Sequence, residues 1–118
     1  MAKIGVVVLA DTESHADLGR VVNAIETVKE AKEHGDDVKF IFDGAGTRWI
    51  PELADEEHDA HPLYKAVEDQ ITGACKFCSR AFGVRKEMEE LNVTLLDDYD
   101  EHPSLRTLVA EGYEVLTF

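Results

Sequence analysis

The stretch KIGVVVL, Lys3 to Leu9, decides the fold class. It is a continuous apolar, β-branched run, as expected of a strand covered on both faces rather than one. A loop, ADTES, follows it. Ser14 with Asp17 three residues on resembles a capping box, with Asp in place of Glu or Gln. Leu18, Val21, Val22, Ile25 and Val28 then recur at helical spacing, and Gly35 is a suitable C′ residue to stop that helix. VKFIFD, Val38 to Asp43, is a second strand and runs into the turn GAG, Gly44 to Gly46.

The same alternation continues to the C-terminus. TRWIPELADEEHDAHPLYKAVEDQ reads as two short helical pieces separated near Ala60. Pro62 suits the first turn of the second piece, and Leu63, Val67 and Ile71 mark its apolar side. ITGAC, Ile71 to Cys75, is a third strand. The pattern predicts one helix from about Cys78 to Leu91, with Phe82, Met88 and Leu91 among its apolar positions and Asn92 as its stop. VTLL is a fourth strand. Pro103 and Ser104 open a helix carrying Leu105, Leu108 and Val109, and Gly112 ends it. YEVLTF is a fifth strand.

Strands alternating with helices imply an α/β fold, a mainly parallel five-stranded sheet with helices on both faces, because parallel neighbours need crossovers. The 118 residues suffice for a single domain. No repeat or linker divides them. Ligands in such folds gather outside the carboxyl ends of the strands. The loops to inspect are therefore Ala10–Ser14, Asp43–Arg48, Ala74–Cys78 and Asp97–His102.

Charge narrows the function classes. Asp and Glu number 25 against 12 Lys and Arg, a formal net charge of −13. A duplex-binding protein needs a basic face to displace counterions, so nucleic acid is not an expected partner, nor is an anionic membrane. No apolar run approaches the roughly 18 residues of a membrane span. MAKIGVVVLA passes straight into acidic residues, unlike a secretory leader. These features predict a cytoplasmic protein. There, two cysteines read as reduced, reactive or metal-bound rather than as a structural disulfide.

Chemistry concentrates in ITGACKFCSRAFGV, Ile71 to Val84, which holds both cysteines. Cys75 and Cys78 are spaced C-x-x-C where the third strand gives way to a helix. Unpaired N–H groups and the helix dipole favour a thiolate there, and Lys76 and Arg80 add positive charge. The pair is open to several readings. It could be a thioredoxin-type redox pair, although the active site there follows the first β-α unit. It could be half of a zinc site completed by His58 and His61 of HDAH. It could carry sulfane sulfur as a persulfide, or be two small buried thiols. No organic cofactor is expected. Neither G-x-G-x-x-G nor a Walker A motif is present, and GAGTRW places Trp49 where the third glycine would fall.

The residues of ACKFCSRAFGV resemble the DsrE/DsrF-like family of sulfur-relay proteins, and the likeness in strand order and length covers essentially the whole chain. Family members carry a cysteine at the end of this strand, followed by small residues, basic residues and Gly-Val. Anchoring on Gly83 and Val84 puts the persulfide-bearing position on Cys75. DGAG and HPSL are similar to an acidic branch of the family. The resemblance implies a three-layer α/β/α sandwich, trimers or hexamers, and sulfur transfer between donor and acceptor protein thiols. This chain departs from the family at Cys78, where a small residue is usual. It departs again at Ala81-Phe82, where an arginine pair is common and Arg80 is displaced. Cys78 thereby acquires a resolving or disulfide-forming role beside Cys75.

Gly44, Gly46, Trp49, His61 and His102 lie in or near the loops that face the site and are candidate pocket residues. Gly44 and Gly46 suit a tight turn, or a loop that a ligand can approach. Trp49 suits a core or subunit contact. His102 either caps the last helix or supplies a proton or hydrogen bond near the thiols. The surplus of carboxylates also predicts a protein adapted to a high-salt cytoplasm, since self-repulsion is relieved when salt screens it. Its thermal midpoint is expected to rise as salt is added. Equal or greater stability at low salt would contradict the halophilic reading.

Overall fold

A computed structural model describes all residues, Met1–Phe118. Five strands, β1 (Lys3–Val8), β2 (Asp37–Phe42), β3 (Ile71–Cys75), β4 (Leu95–Leu96) and β5 (Glu114–Thr117), form one sheet in the order β4-β3-β2-β1-β5. Every pairing is parallel. The α/β expectation and its parallel sheet are therefore met. Val6, Val7 and Val8 have no exposed surface. Burying each such side chain contributes about 1.5–3 kcal/mol, which explains why β1 lies inside the sheet.

The helices are α1 (His15–Glu33), α2 (Trp49–Ala54), α3 (His61–Val67), α4 (Lys76–Ala81), α5 (Arg85–Glu90) and α6 (Leu105–Ala110). The two faces of the sheet are unequally covered. Val6, Val8, Phe40, Phe42 and Ala74 pack in a large core with Val21, Ile25 and Val28 of α1, Ile50 and Leu53 of α2, Tyr64 of α3 and Met88 of α5. On the other face, Val7 and Ile41 pack with Leu108 of α6 and with Tyr113. The layers are thus helix, sheet, helix, with the second helical layer reduced to α6.

Local signals explain the ends. Ser14 caps α1 by accepting from the Asp17 N–H at 3.2 Å. Ser104 caps α6 in the same way through the Thr107 N–H. One expected helix proves to be two. Gly83 holds φ +74, a left-handed conformation that side chains resist. The Val84 N–H returns to the Ser79 carbonyl at 2.8 Å and closes α4 there. Phe82, expected on the buried side, is consequently 40% exposed, and Leu91 is 42% exposed, while Met88 alone stays buried. The fourth strand is also shorter than VTLL, comprising Leu95 and Leu96 only.

Trp49 lies in the core at 3% exposure and donates its Nε1–H to the Asp11 carbonyl at 3.0 Å. It ties the turn after β1 to α2 and presents no subunit-contact surface. Gly46 is needed for a close approach, since a Cβ there would overlap the Val8 carbonyl. Gly46→Ala is expected to lower stability by about 1–3 kcal/mol in urea unfolding, the cost of overpacking against backbone. An unchanged midpoint would show that the loop tolerates a side chain.

Candidate functional site

The strand register builds the site. Phe42 of β2 pairs with Ala74 of β3, so the next residues, Asp43 and Cys75, lie side by side at the carboxyl edge of the sheet. Cys75 pairs with Leu96, which starts the segment leading to His102 from the same edge. Cys78 lies one helical turn beyond Cys75. Three of the four loops singled out in the sequence therefore converge. One ligand-type atom from each of Asp43, Cys75, Cys78 and His102 lies within 4.8 Å of all the others.

Cys75 is the N-cap of α4, and its Sγ accepts the Cys78 N–H at 3.3 Å. His102 Nδ1 stands 3.2 Å from Cys75 Sγ and 4.0 Å from Cys78 Sγ. Asp43 Oδ1 lies 3.6 Å from Cys78 Sγ and also accepts the Gly44 N–H at 2.8 Å. Both cysteines are free thiols; Cys75 has no exposed surface and Cys78 has 8%.

A tight turn, Tyr99 to His102, roofs the thiols. Tyr99 and His102 exchange both backbone hydrogen bonds, at 2.8 and 2.9 Å. Asp100 and Glu101 hold φ of +48 and +66, uncommon for residues other than glycine. The Phe77 N–H at the start of α4 donates to the Glu101 carbonyl at 2.9 Å. The Phe77 ring lies 5.0 Å from the His102 imidazole. The turn also borders a cleft of about 590 Å³ whose lining includes Asp43, Tyr99, His102 and Arg106.

The electrostatics correct one expectation. Burial pushes the Cys75 thiol up to about 12, and the neighbouring Asp43 carboxylate adds to the rise, while the Cys78 N–H opposes it. Lys76 and Arg80 do not offset burial. Lys76 Nζ is 3.7 Å from Asp97, and Arg80 pairs with Glu101 at 3.2 Å. Both basic side chains serve the rim, and the resting Cys75 is a thiol rather than a thiolate. His102 is the group placed to change that.

The zinc set that draws on HDAH is also corrected. His58 faces Glu52 at 3.7 Å and accepts the Ala60 N–H; His61 Nδ1 contacts the Leu53 carbonyl at 2.8 Å. Both fix the α2–α3 corner, and the atoms gathered with the thiols come from Asp43 and His102 instead. Gly44, at φ +55, and Gly46 shape the turn that carries Asp43. Asp43 is the residue that sequence reasoning missed. Its signal was an acidic residue at the carboxyl end of a parallel strand, directly before a glycine turn.

No family model matches the chain. An alignment with the uncharacterized protein MJ0733 of Methanocaldococcus jannaschii is 31% identical over 87 residues, covering 74% of this chain and 70% of that protein. The chain belongs to the MJ0733 family. A solved structure, that of the conserved protein of unknown function BT1422 from Bacteroides thetaiotaomicron, superimposes with a TM-score of 0.60. It covers 97% of this chain and 94% of its own at 16% identity, so the likeness is one of fold. This member of the MJ0733 family thus brings to a shared architecture two buried thiols beside a partly buried imidazole and carboxylate.

The thiol state is measurable. At about pH 8, alkylation of Cys75 in the folded protein is expected to run more than ~10-fold slower than in the unfolded chain, whose thiols titrate near ~8.5. The sign follows from the raised value: the folded-state rate keeps climbing beyond about pH 10, where the unfolded-state rate has levelled. A folded Cys75 that reacts fully at neutral pH would contradict this account.

Proposed function

We propose that the protein carries sulfane sulfur as a persulfide on Cys75, with Cys78 as the resolving thiol. The observation that carries this reading is the placement of His102 Nδ1 3.2 Å from Cys75 Sγ, with the Cys78 N–H on the same sulfur. A thiol beside an imidazole is an activatable nucleophile. The DsrE/DsrF-like resemblance of ACKFCSRAFGV supports the same cysteine independently of the geometry.

His102 takes the Cys75 proton, and the thiolate attacks the outer sulfur of a donor persulfide. A new S–S bond forms on Cys75, the donor's S–S bond breaks, and the donor thiolate leaves with the proton that His102 held. An acceptor thiolate can then remove the outer sulfur and restore Cys75. Alternatively, Cys78 attacks Cys75 Sγ, forms the Cys75–Cys78 disulfide and expels the outer sulfur as hydrogen sulfide. In that branch the two protein thiols are oxidised and the sulfane sulfur is reduced.

Because Cys75 is fully buried, a donor reaches it only when the Tyr99–His102 turn lifts from α4. The same cover shields a bound persulfide from solvent. Phe77 and Phe82, on and just after α4, are 42% and 40% exposed. They support docking of a partner thiol protein or assembly into the trimer or hexamer that the resemblance implies. The cytoplasm, at high salt, is the proposed setting.

Intact-mass measurement after exposure of the reduced protein to a sulfane-sulfur donor tests this directly. The wild type gains one sulfur atom, Cys75→Ser gains none, and Cys78→Ser keeps its added sulfur longer. His102→Ala loads at least ~100-fold more slowly, as expected for loss of a general base. Uptake by Cys75→Ser would assign the sulfur to the wrong residue.

A further inference from the structure

The distances around the thiols match a second kind of occupant. In a tetrahedral site, two ligand atoms stand ~1.6 bond lengths apart, so zinc bonds of roughly 2.0–2.3 Å separate them by about 3.3–3.8 Å. Three edges of the group in this protein measure 3.2, 3.6 and 4.0 Å, from Cys75 to His102, Cys78 to Asp43 and Cys78 to His102. All remaining edges are within 4.8 Å. Four donors of types that bind zinc therefore already stand near the corners of one coordination shell.

The charges point the same way. Asp43 is partly buried and has no ion pair with a lysine, arginine or histidine, unlike Asp97 and Glu101 on the rim. Its carboxylate faces a thiol, and no cationic side chain enters the group. Partly buried carboxylates are held best by a counter-charge. The donor set of two sulfurs, one imidazole nitrogen and one carboxylate oxygen suits a borderline divalent ion, and is unsuited to calcium or magnesium, which take oxygen ligands.

We infer that Asp43, Cys75, Cys78 and His102 form a tetrahedral site for one zinc-type divalent cation. Both thiols lose their protons on binding, His102 binds through Nδ1 as the neutral imidazole, and Asp43 supplies one oxygen. The site is distinct from any that His58 and His61 could complete. It also makes metal and persulfide competing occupants of Cys75, since an ion seated among the four donors takes up the thiolate charge and the space beside Sγ that a donor sulfur would need. On the sulfur-carrier reading, metal loading is therefore an off state of that carrier.

The test uses the full chain, freed of metal by a chelator under reducing conditions and titrated with cobalt(II) as a spectroscopic stand-in. The inference predicts a thiolate-to-cobalt charge-transfer band and intense visible bands of a tetrahedral ion, saturating at one cobalt per chain and displaced by zinc. Cys75→Ser and Cys78→Ser each lower the charge-transfer intensity in proportion to the sulfur removed, and the double substitution abolishes it. Asp43→Asn and His102→Gln, which leave the thiols in place, weaken cobalt binding by at least the roughly 10–100-fold that loss of a mere outer-shell partner costs. His58→Ala and His61→Ala leave it unchanged. A pale octahedral spectrum, binding insensitive to Asp43 and His102, or no binding at all overturns the inference. Sulfur uptake is scored separately, by mass on metal-free protein, so the metal site and the carrier reading can fail independently. If both hold, zinc-loaded protein takes up no sulfur until the metal is removed.

Discussion

The register of three parallel strands is the constraint on which the site depends. Phe42 opposite Ala74 makes Asp43 and Cys75 neighbours as their strands end, and Cys75 opposite Leu96 feeds the chain towards His102 along the same edge. A one-residue slip would turn Asp43 or Cys75 to the opposite face and dissolve the group. The register is in turn held by burial. Phe40, Phe42 and Ala74 have no exposed surface and share one core with α1, α2 and α3. The core thus fixes which polar residues meet at the sheet's carboxyl edge.

What meets there is a set of groups whose behaviour is set by confinement. Burial keeps Cys75 protonated, and the nearest positive side chains are committed to Asp97 and Glu101. Reactivity must come from within the group, through His102, or from an incoming cation. The Tyr99–His102 turn closes the group, pinned to α4 by the Phe77 N–H and by the contact of the Phe77 and His102 rings. On the proposed carrier reading, a site closed in this way keeps the sulfur held on Cys75 from water and oxidants. The same closure sets the geometry that a tetrahedral ion would use.

Much of this was legible in the sequence, for physical reasons. The apolar run of β1, the spacing of Val21, Ile25 and Val28, and the Ser14 and Ser104 caps are local signals, and the structure keeps each. Placing the site at the strand ends followed from the parallel topology, and Cys75, Cys78 and His102 all meet there. Other features depended on three-dimensional packing. Gly83 could as well sit within a helix on pattern alone, and only the return of the Val84 N–H to Ser79 ends α4 early. His58 and His61 have ligand-like spacing, yet carbonyl and carboxylate contacts claim them for the α2–α3 corner. Asp43 looked like the polar end of a strand, because register, rather than composition, brings it to Cys78. Lys76 and Arg80 are near Cys75 in sequence but turn outward to the acidic rim.

The central claim is that Cys75 holds a sulfur which the protein can hand on. The direct measurement is transfer itself. Cys78→Ser protein, which cannot resolve its own persulfide, is loaded with radiolabelled sulfane sulfur, freed of donor and mixed with a fresh acceptor thiol. The account predicts that the label leaves Cys75 and appears on the acceptor as sulfane sulfur. Label that never loads, or that stays bound to the protein in the presence of excess acceptor, would contradict it.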